Sequence, residues 1–357
     1  MTIAEELKKL NCTRLDTDHA VFYFHHAGML HGIVTMHVDD IQYCGSDVFM
    51  EKVIKAIFAT FKFGTITEAD QYKVLGWNIF HNPDGSICVS QEDFIESRLD
   101  YLDITWDRKI SSHTALDEED KTKFRGHVGK LRWVSDQTRA DIAHEELIAS
   151  IVQGRATYND VRMINKMIQH VKGYNLRMKF DKLEGKTWFL TVFADASLKG
   201  LPDKTSSSLG YLIFLSNGFE PGRRSKCCIL TWKSLKIKRT VVSTFEAECL
   251  AVAEALEEAL VLKDQIMKIT GVPKDMLLIE CFCDCNDAVA AFYSSKQNQR
   301  GGRVQIDSAK IREMLERKEV ESIQWISTDL QLADVLTKRG VAKSPLLNTL
   351  EEGKFFY

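Results

Sequence analysis

Strand-length apolar runs and stretches of helical period alternate along this chain, and their order changes near its middle. In the first half, Ala20–His25 reads as a strand and Gly28 and Gly32 flank a turn. The β-rich run Ile33-Val34-Thr35-Met36-His37-Val38 stops at Asp39-Asp40, and a strand resumes at Ile41-Gln42-Tyr43-Cys44. Strand, acidic pair, strand predicts a hairpin with both carboxylates at its tip. Residues 48–62 carry a helical pattern. Tyr72–Phe80 and Ile87–Ser90 read as strands joined at Asn82-Pro83-Asp84-Gly85. Glu92–Leu102 has helical spacing. From Glu118 to about Tyr174 the pattern is helical throughout, with Leu131, Trp133 and Val134 in one helix and Ile164, Met167, Ile168 and Val171 in another.

After Glu184-Gly185 the character changes. Thr187–Ala194, Leu209–Leu215 and Cys227–Trp232 read as three strands, Ser243–Ile269 as one long helix, and Leu277–Cys283 as a fourth strand. A short helix at Asp287–Phe292, a helix at Ile306–Arg317, a strand at Ser322–Ser327 and a last helix from Gln331 complete the order. Such a mixed order predicts one sheet covered by helices, an α/β (α+β) fold.

Composition changes this picture little. The 357 residues are 45% hydrophobic and 27% charged, which suits a globular chain with room for two or three domains. No apolar run approaches the roughly 18 residues of a membrane helix, and the N-terminus lacks a secretory pattern. The expectation is an intracellular protein, cytoplasmic or nuclear, with no membrane partner. The nine cysteines include no Cys-x-x-Cys pair, so Cys281, Cys283 and Cys285 read as small core residues rather than zinc ligands. Net charge is −3, which excludes a globally basic nucleic-acid binder. Local basic runs remain: Arg223-Arg224-Ser225-Lys226, then Lys233, Lys236, Lys238 and Arg239, then Arg300 and Arg303. Phosphate binding depends on such clusters rather than on net charge.

Four acids stand out by position among the 50 acidic residues. Asp195 ends the first strand of the second half, Glu248 lies early in the long helix, Asp284 ends the fourth strand, and Asp334 opens the last helix. Acids at such ends can converge on one point, and converged carboxylates repel unless a cation sits between them. Hard oxygen ligands suit Mg²⁺ or Mn²⁺. The plain alternative is four unrelated surface acids. Phe193-Ala194-Asp195 and Cys283-Asp284-Cys285 argue against it, because a charge beside a core strand is costly unless paired or metal-bound. Ser243-Thr244-Phe245-Glu246 fits a capping box in which Glu246 reaches back to the Ser243 N–H. Glu248, about 200° further round the helix, then points elsewhere. Ala247, Ala251, Ala255 and Ala259 form a small-residue ridge beside it.

Six segments resemble, in order and spacing, the ribonuclease H domain of copia-type LTR retrotransposons. They are Phe193-Ala194-Asp195-Ala196, Ser207-Ser208-Leu209-Gly210-Tyr211, Thr231-Trp232-Lys233-Ser234, Ser243–Glu248, Cys283-Asp284-Cys285-Asn286 and Ala333-Asp334-Val335-Leu336-Thr337-Lys338. Further forward, His37-Val38-Asp39-Asp40 is similar to the Tyr-Val-Asp-Asp motif of reverse transcriptases. Leu75-Gly76-Trp77-Asn78, Ser90-Gln91, Gly126–Trp133 and Thr138-Arg139-Ala140-Asp141-Ile142 extend the resemblance over nearly the whole chain. His37 stands where the family has tyrosine, Ala140 where it has proline, and Val304-Gln305-Ile306-Asp307 where it has Lys-His-Ile-Asp. The missing histidine bears on hybrid positioning or product release, not on metal binding.

The resemblance implies a division into the C-terminal part of a reverse-transcriptase palm (1–102), a helical thumb or connection region (103–185), a ribonuclease H-like mixed five-stranded sheet flanked by helices (186–345) and a C-terminal tail (346–357). It implies metal-dependent endonucleolytic cleavage of RNA in RNA–DNA hybrids, with Asp195, Glu248, Asp284 and Asp334 as catalytic and metal-binding residues for two Mg²⁺ or Mn²⁺ ions. Lys233, Lys236, Lys238 and Arg239 are the expected phosphate contacts. Asp39 and Asp40 are expected to be a polymerase remnant, their activity lost or dependent on an earlier part of a retrotransposon polyprotein, the remainder of which is the other expected partner. The alternative is a non-catalytic nucleic-acid-binding scaffold derived from a retroelement.

Overall fold

The computed structural model describes residues 2–38, 40–106, 111–294 and 302–355, with backbone alone at 302 and 303. Asp39 and Arg300, and the side chain of Arg303, lie outside the described residues. The chain divides into two units: residues 1–68 with 260–277, and residues 69–259 with 278–357.

The first unit holds an antiparallel sheet in the order β1-β2-β3-β4: Thr13–Arg14, Val21–His26, Met29–His37 and Asp40–Gly45. Helix α1 (Ile3–Lys9) is closed by a capping box between Thr2 and Glu5. The helical stretch expected over 48–62 is α2 (Asp47–Phe49), a π turn at Met50–Ile54, and α3 (Lys55–Thr60). Leu7, Phe22, Phe24, Val34, Phe49, Val53 and Ile57 make one core. The expected hairpin is present, and Asp40, paired with His37, lies exposed at its tip.

In the second unit, the stretch read as one strand, Tyr72–Phe80, is two: β5 (Gln71–Val74) and β6 (Trp77–His81). Leu75 and Gly76 both take positive φ, 49° and 82°, so the chain reverses there in a two-residue turn of the kind that matches strand twist. The apolar run hid this turn, because leucine is not a turn signal. β7 (Ile87–Ser90) follows, and then α4 (Glu92–Arg98), α5 (Glu118–Gln137), α6 (Ala143–Val152) and α7 (Tyr158–Gly173). The helices close on a core that includes Phe124, Leu131, Ile142, Ile164 and Ile168. A strand not foreseen, β8 (Met178–Phe180), then pairs antiparallel with β7. Three residues are too few to show a period, so only a partner from a distant part of the chain defines it.

Arg139 and Asp141 form a buried staple among these helices. The guanidinium donates to both Asp141 carboxylate oxygens, at 2.8 and 3.0 Å, and to the carbonyls of Val171 and Tyr174. Burial alone would raise the Asp141 pKa, but hydrogen bonds from His170 and Arg139 outweigh it and hold the carboxyl well below the usual range. The matched segment Thr138–Ile142 is thus a structural joint.

A mixed five-stranded sheet completes the unit, in the order β11-β10-β9-β12-β13: Cys227–Lys236, Ser208–Ser216, Trp188–Ser197, Leu277–Cys283 and Ser322–Trp325. β9, β10 and β11 are antiparallel neighbours, and β12 runs parallel to β13. Helix α8 (Thr244–Thr270) carries the alanine ridge, and Ala247, Ala251, Ala255 and Ala259 are all fully buried. α9 (Asn286–Tyr293) and α10 (Gly302–Glu316) separate β12 from β13.

The expected last helix from Gln331 is instead a 3₁₀ segment, Leu332–Leu336, preceded by another at Thr328–Leu330. The α-helix comes later, as α11 (Ser344–Glu352), with proline in its first turn and Gly353 left-handed after its end. Residues read as a tail pack inward: Leu346, Leu347, Leu350 and Phe355 are buried in the main core. Among the described residues all nine cysteines are free: six are buried, Cys88 and Cys285 are partly buried, and Cys44 is exposed on β4. No described helix is long and apolar enough to cross a membrane.

Candidate functional site

Each of the four acids sits where a different element ends or turns. Asp195 lies near the end of β9 and is fully buried, directly across from Gly210 of β10. Asp284 follows β12. Glu248 is on the second turn of α8 and is buried, and Asp334 is in the 3₁₀ segment, also buried. Oxygens of Asp195, Asp284 and Asp334 lie within 4.8 Å of one another. Glu248 joins through Asp284, in a second group of the same reach that also includes the Cys283 sulfur. All four sequence-predicted acids therefore come together around Asp284.

Gly210 makes this convergence possible. A Cβ there would lie 2.5 Å from Leu336 Cβ and 3.0 Å from the Thr337 methyl. Only a glycine lets the 3₁₀ segment press against β10 beside Asp195. Further bonds fix the segment: Gln331 Nε2 donates to the Ala194 carbonyl at 3.0 Å, and the Ser234 hydroxyl donates to the Leu336 carbonyl at 2.6 Å. Gly210→Ala is therefore expected to cost about 1–3 kcal/mol through overpacking. It should also displace Asp334 and reduce any activity of the cluster more than its melting temperature falls. Thermal unfolding compared with turnover checks this, and unchanged turnover would show that the close approach is dispensable.

The electrostatics are those of crowded acids. Burial raises the pKa of Asp195, with Asp334 and Asp284 adding to the rise and Lys338 opposing it. Burial likewise raises Glu248, helped by Asp195 and Asp284. Asp334 is raised by burial and held back by Lys338. The Cys283 thiol, 3.8 Å from Glu248 Oε2, is pushed well above its ordinary value by burial. The group of Asp195, Asp284 and Asp334 offers only hard carboxylate oxygen, which fits Mg²⁺ or Mn²⁺ better than a thiolate-seeking metal.

Several neighbours had no role assigned from the sequence. Lys338 Nζ lies 3.1 Å from Asp195 Oδ1 and 2.6 Å from Asp334 Oδ1. The Thr337 hydroxyl donates to Asp195 Oδ2. The Thr328 hydroxyl donates to Asp284 Oδ2 at 3.0 Å, and the half-exposed Trp325 indole donates to the Asp284 carbonyl at 3.0 Å. The spacing Asp334 to Lys338, four residues, was the one local signal available. Thr328 and Trp325 carried none.

The capping box is present in altered form. The Glu246 N–H donates to the Ser243 hydroxyl at 3.1 Å, as expected. The Glu246 carboxylate, however, accepts from the Val242 N–H at 2.9 Å, one residue before the expected Ser243. It takes no part in the acid cluster.

The basic residues differ in availability. Lys233 and Lys236 lie on β11, with Lys238 and Arg239 just beyond it. Lys236 pairs with Asp203 at 3.3 Å, and Arg239 pairs with Asp307 of α10. Lys233 and Lys238 are exposed and make no ion pair among the described residues. Arg223, Arg224 and Lys226 sit near the other end of the sheet, where Ser216 pairs with both Phe189 and Cys227. That end is about 20 Å along β9 from Asp195, at roughly 3.3 Å per residue.

Two known proteins with similar sequences are retrovirus-related Pol polyproteins of transposons. Over 327 residues the chain is 25% identical to a retrovirus-related Pol polyprotein from transposon TNT 1-94 of Nicotiana tabacum, covering 86% of this chain and 23% of that one. Over 234 residues it is 27% identical to the corresponding polyprotein from transposon RE1 of Arabidopsis thaliana, covering 64% of this chain and 15% of the other. The chain thus spans about a quarter or less of these relatives. Among solved structures, the foamy viral protease-reverse transcriptase in complex with an RNA/DNA hybrid matches with a TM-score of 0.43 and 12% identity, over 87% of this chain and 37% of that chain. No protein-family model matches.

Proposed function

We propose, from the premise that this chain belongs with the Pol polyproteins of copia-type retrotransposons, that it is a metal-dependent endonuclease cutting RNA in RNA–DNA hybrids. The observation that carries the reading is the convergence of Asp195, Asp284 and Asp334 within 4.8 Å, with Glu248 reaching the same point. These four carboxylates would hold two Mg²⁺ or Mn²⁺ ions. Bound there, such ions supply an activated water and stabilise the leaving oxygen of a phosphodiester. The protein's part is to fix the carboxylates before substrate arrives: Thr337 orients Asp195, Thr328 orients Asp284, and Gln331 ties the Asp334 segment to β9. The test is cleavage of a labelled RNA–DNA hybrid with Mg²⁺ or Mn²⁺ and with chelator. Metal-dependent cutting of the RNA strand is expected. Hybrid binding without cutting would favour the non-catalytic scaffold instead.

For substrate binding, Lys233, Lys236, Lys238 and Arg239 are the proposed phosphate contacts. Neutralising them should weaken hybrid affinity and flatten its dependence on salt, because each lost contact removes about 0.9 from the logarithmic salt slope. Lys233 and Lys238 should dominate, since Lys236 and Arg239 must first leave Asp203 and Asp307. An unchanged slope would make all four ordinary surface residues. Little base preference is expected, because a hybrid is read through backbone, groove shape and 2′-hydroxyls.

The hairpin acids are proposed not to polymerise in this 357-residue chain. Among the described residues, Asp40 belongs to no cluster of three metal-ligating groups. Primer extension on an RNA template should be absent. Extension that disappears on Asp39→Asn would overturn this.

A further inference from the structure

Lys338 stands out because its ammonium already occupies a cation's place among the acids. It bridges Asp195 Oδ1 and Asp334 Oδ1, oxygens of two of the three carboxylates that converge. Asp195 is fully buried, and a buried carboxylate with acidic neighbours needs a positive partner. The lysine side chain is itself one third exposed. Its flexible four-carbon stem therefore has an open route to solvent, and its compact head is well hydrated once there. Thr337 and Gln331 hold the backbone of this segment independently, so the ammonium can leave without releasing Asp334.

We propose that Lys338 is an internal counter-cation that holds the carboxylates together when no divalent ion is bound and is displaced when one binds. This rests on the metal reading above. A monovalent ammonium and a divalent ion competing for the same oxygens repel one another at this range. Lys338 then makes metal binding an exchange of cations rather than a filling of a bare acid pocket. It keeps the site folded and weakens its hold on metal at the same time.

The test uses the full chain and Mn²⁺ alone, read by calorimetric titration and by thermal unfolding with chelator or with Mn²⁺. Lys338→Met should bind Mn²⁺ roughly tenfold more tightly than the wild type, since the competing charge is gone. It should unfold at lower temperature in chelator and gain more from added Mn²⁺. Lys338→Arg keeps the charge and should stay near the wild type. Should Lys338→Met fail to fold in chelator, folding on addition of Mn²⁺ is the same result in stronger form. Failure to fold even with Mn²⁺ would make the lysine a fixed structural pin and overturn the exchange. Equal or weaker Mn²⁺ affinity in a folded Lys338→Met would also overturn it. If the wild type binds Mn²⁺ and Asp195→Asn does not, that failure belongs to the lysine alone. If the wild type binds no Mn²⁺, the metal reading falls and the exchange with it.

Discussion

Asp195→Asn should abolish hybrid cleavage while leaving the fold intact. Asp195 is the most deeply buried of the acids: it contacts Lys338 and Thr337, and its oxygens lie within reach of both Asp284 and Asp334. In the proposed site it would be one of the residues that hold the metal. Asparagine has nearly the same shape and can still accept from Thr337, but it supplies no charge. Losing roughly 4 kcal/mol of charge stabilisation corresponds to about a thousandfold in rate. Stability should change little, because two effects oppose each other. The substitution ends the burial of a charge whose pKa is raised chiefly by desolvation, and it forfeits one of the two carboxylates that Lys338 bridges. Lys338 keeps Asp334. Cleavage of a labelled hybrid, with a melting curve of the same preparation, checks both halves. Full activity in the folded variant would remove the two-metal reading.

The second large effect separates two glutamates on one helix. Glu248→Gln is expected to remove activity with little change in melting temperature, because Glu248 reaches Asp284 and Cys283. Glutamine keeps the size but not the ligating charge. Glu246→Gln should retain most activity, since an amide oxygen can still accept the Val242 N–H. Glu246→Ala should cost on the order of 1 kcal/mol, the usual worth of a helix cap. The bond to Val242 rather than Ser243 leaves this expectation unchanged, because a donor ahead of the helix is satisfied either way. A dead Glu246→Gln beside an active Glu248→Gln would mean the ligand has been assigned to the wrong residue.

What the sequence determined by itself was set by local patterning. The long strands β9, β10 and β12 and helix α8 were legible because each repeats its period often enough to be counted. The hairpin at residues 33–44 was legible because acids interrupt two β-rich runs. The four acids were legible because each follows or opens an apolar element, where an unpaired charge would be costly.

Tertiary structure decided the rest, for one physical reason: contacts between distant residues leave no local period. β8 exists only because β7 lies beside it. The turn at Leu75-Gly76 shows in backbone angles, not in residue type alone. The segment around Asp334 is 3₁₀ rather than α because it is bent to fit Gly210, tied through Gln331 to the Ala194 carbonyl of β9, and bonded by Ser234 of β11. Thr328 reaches Asp284 across 44 positions. Lys338 reaches Asp195 across 143, a pairing that only the folded sheet brings within 3.1 Å.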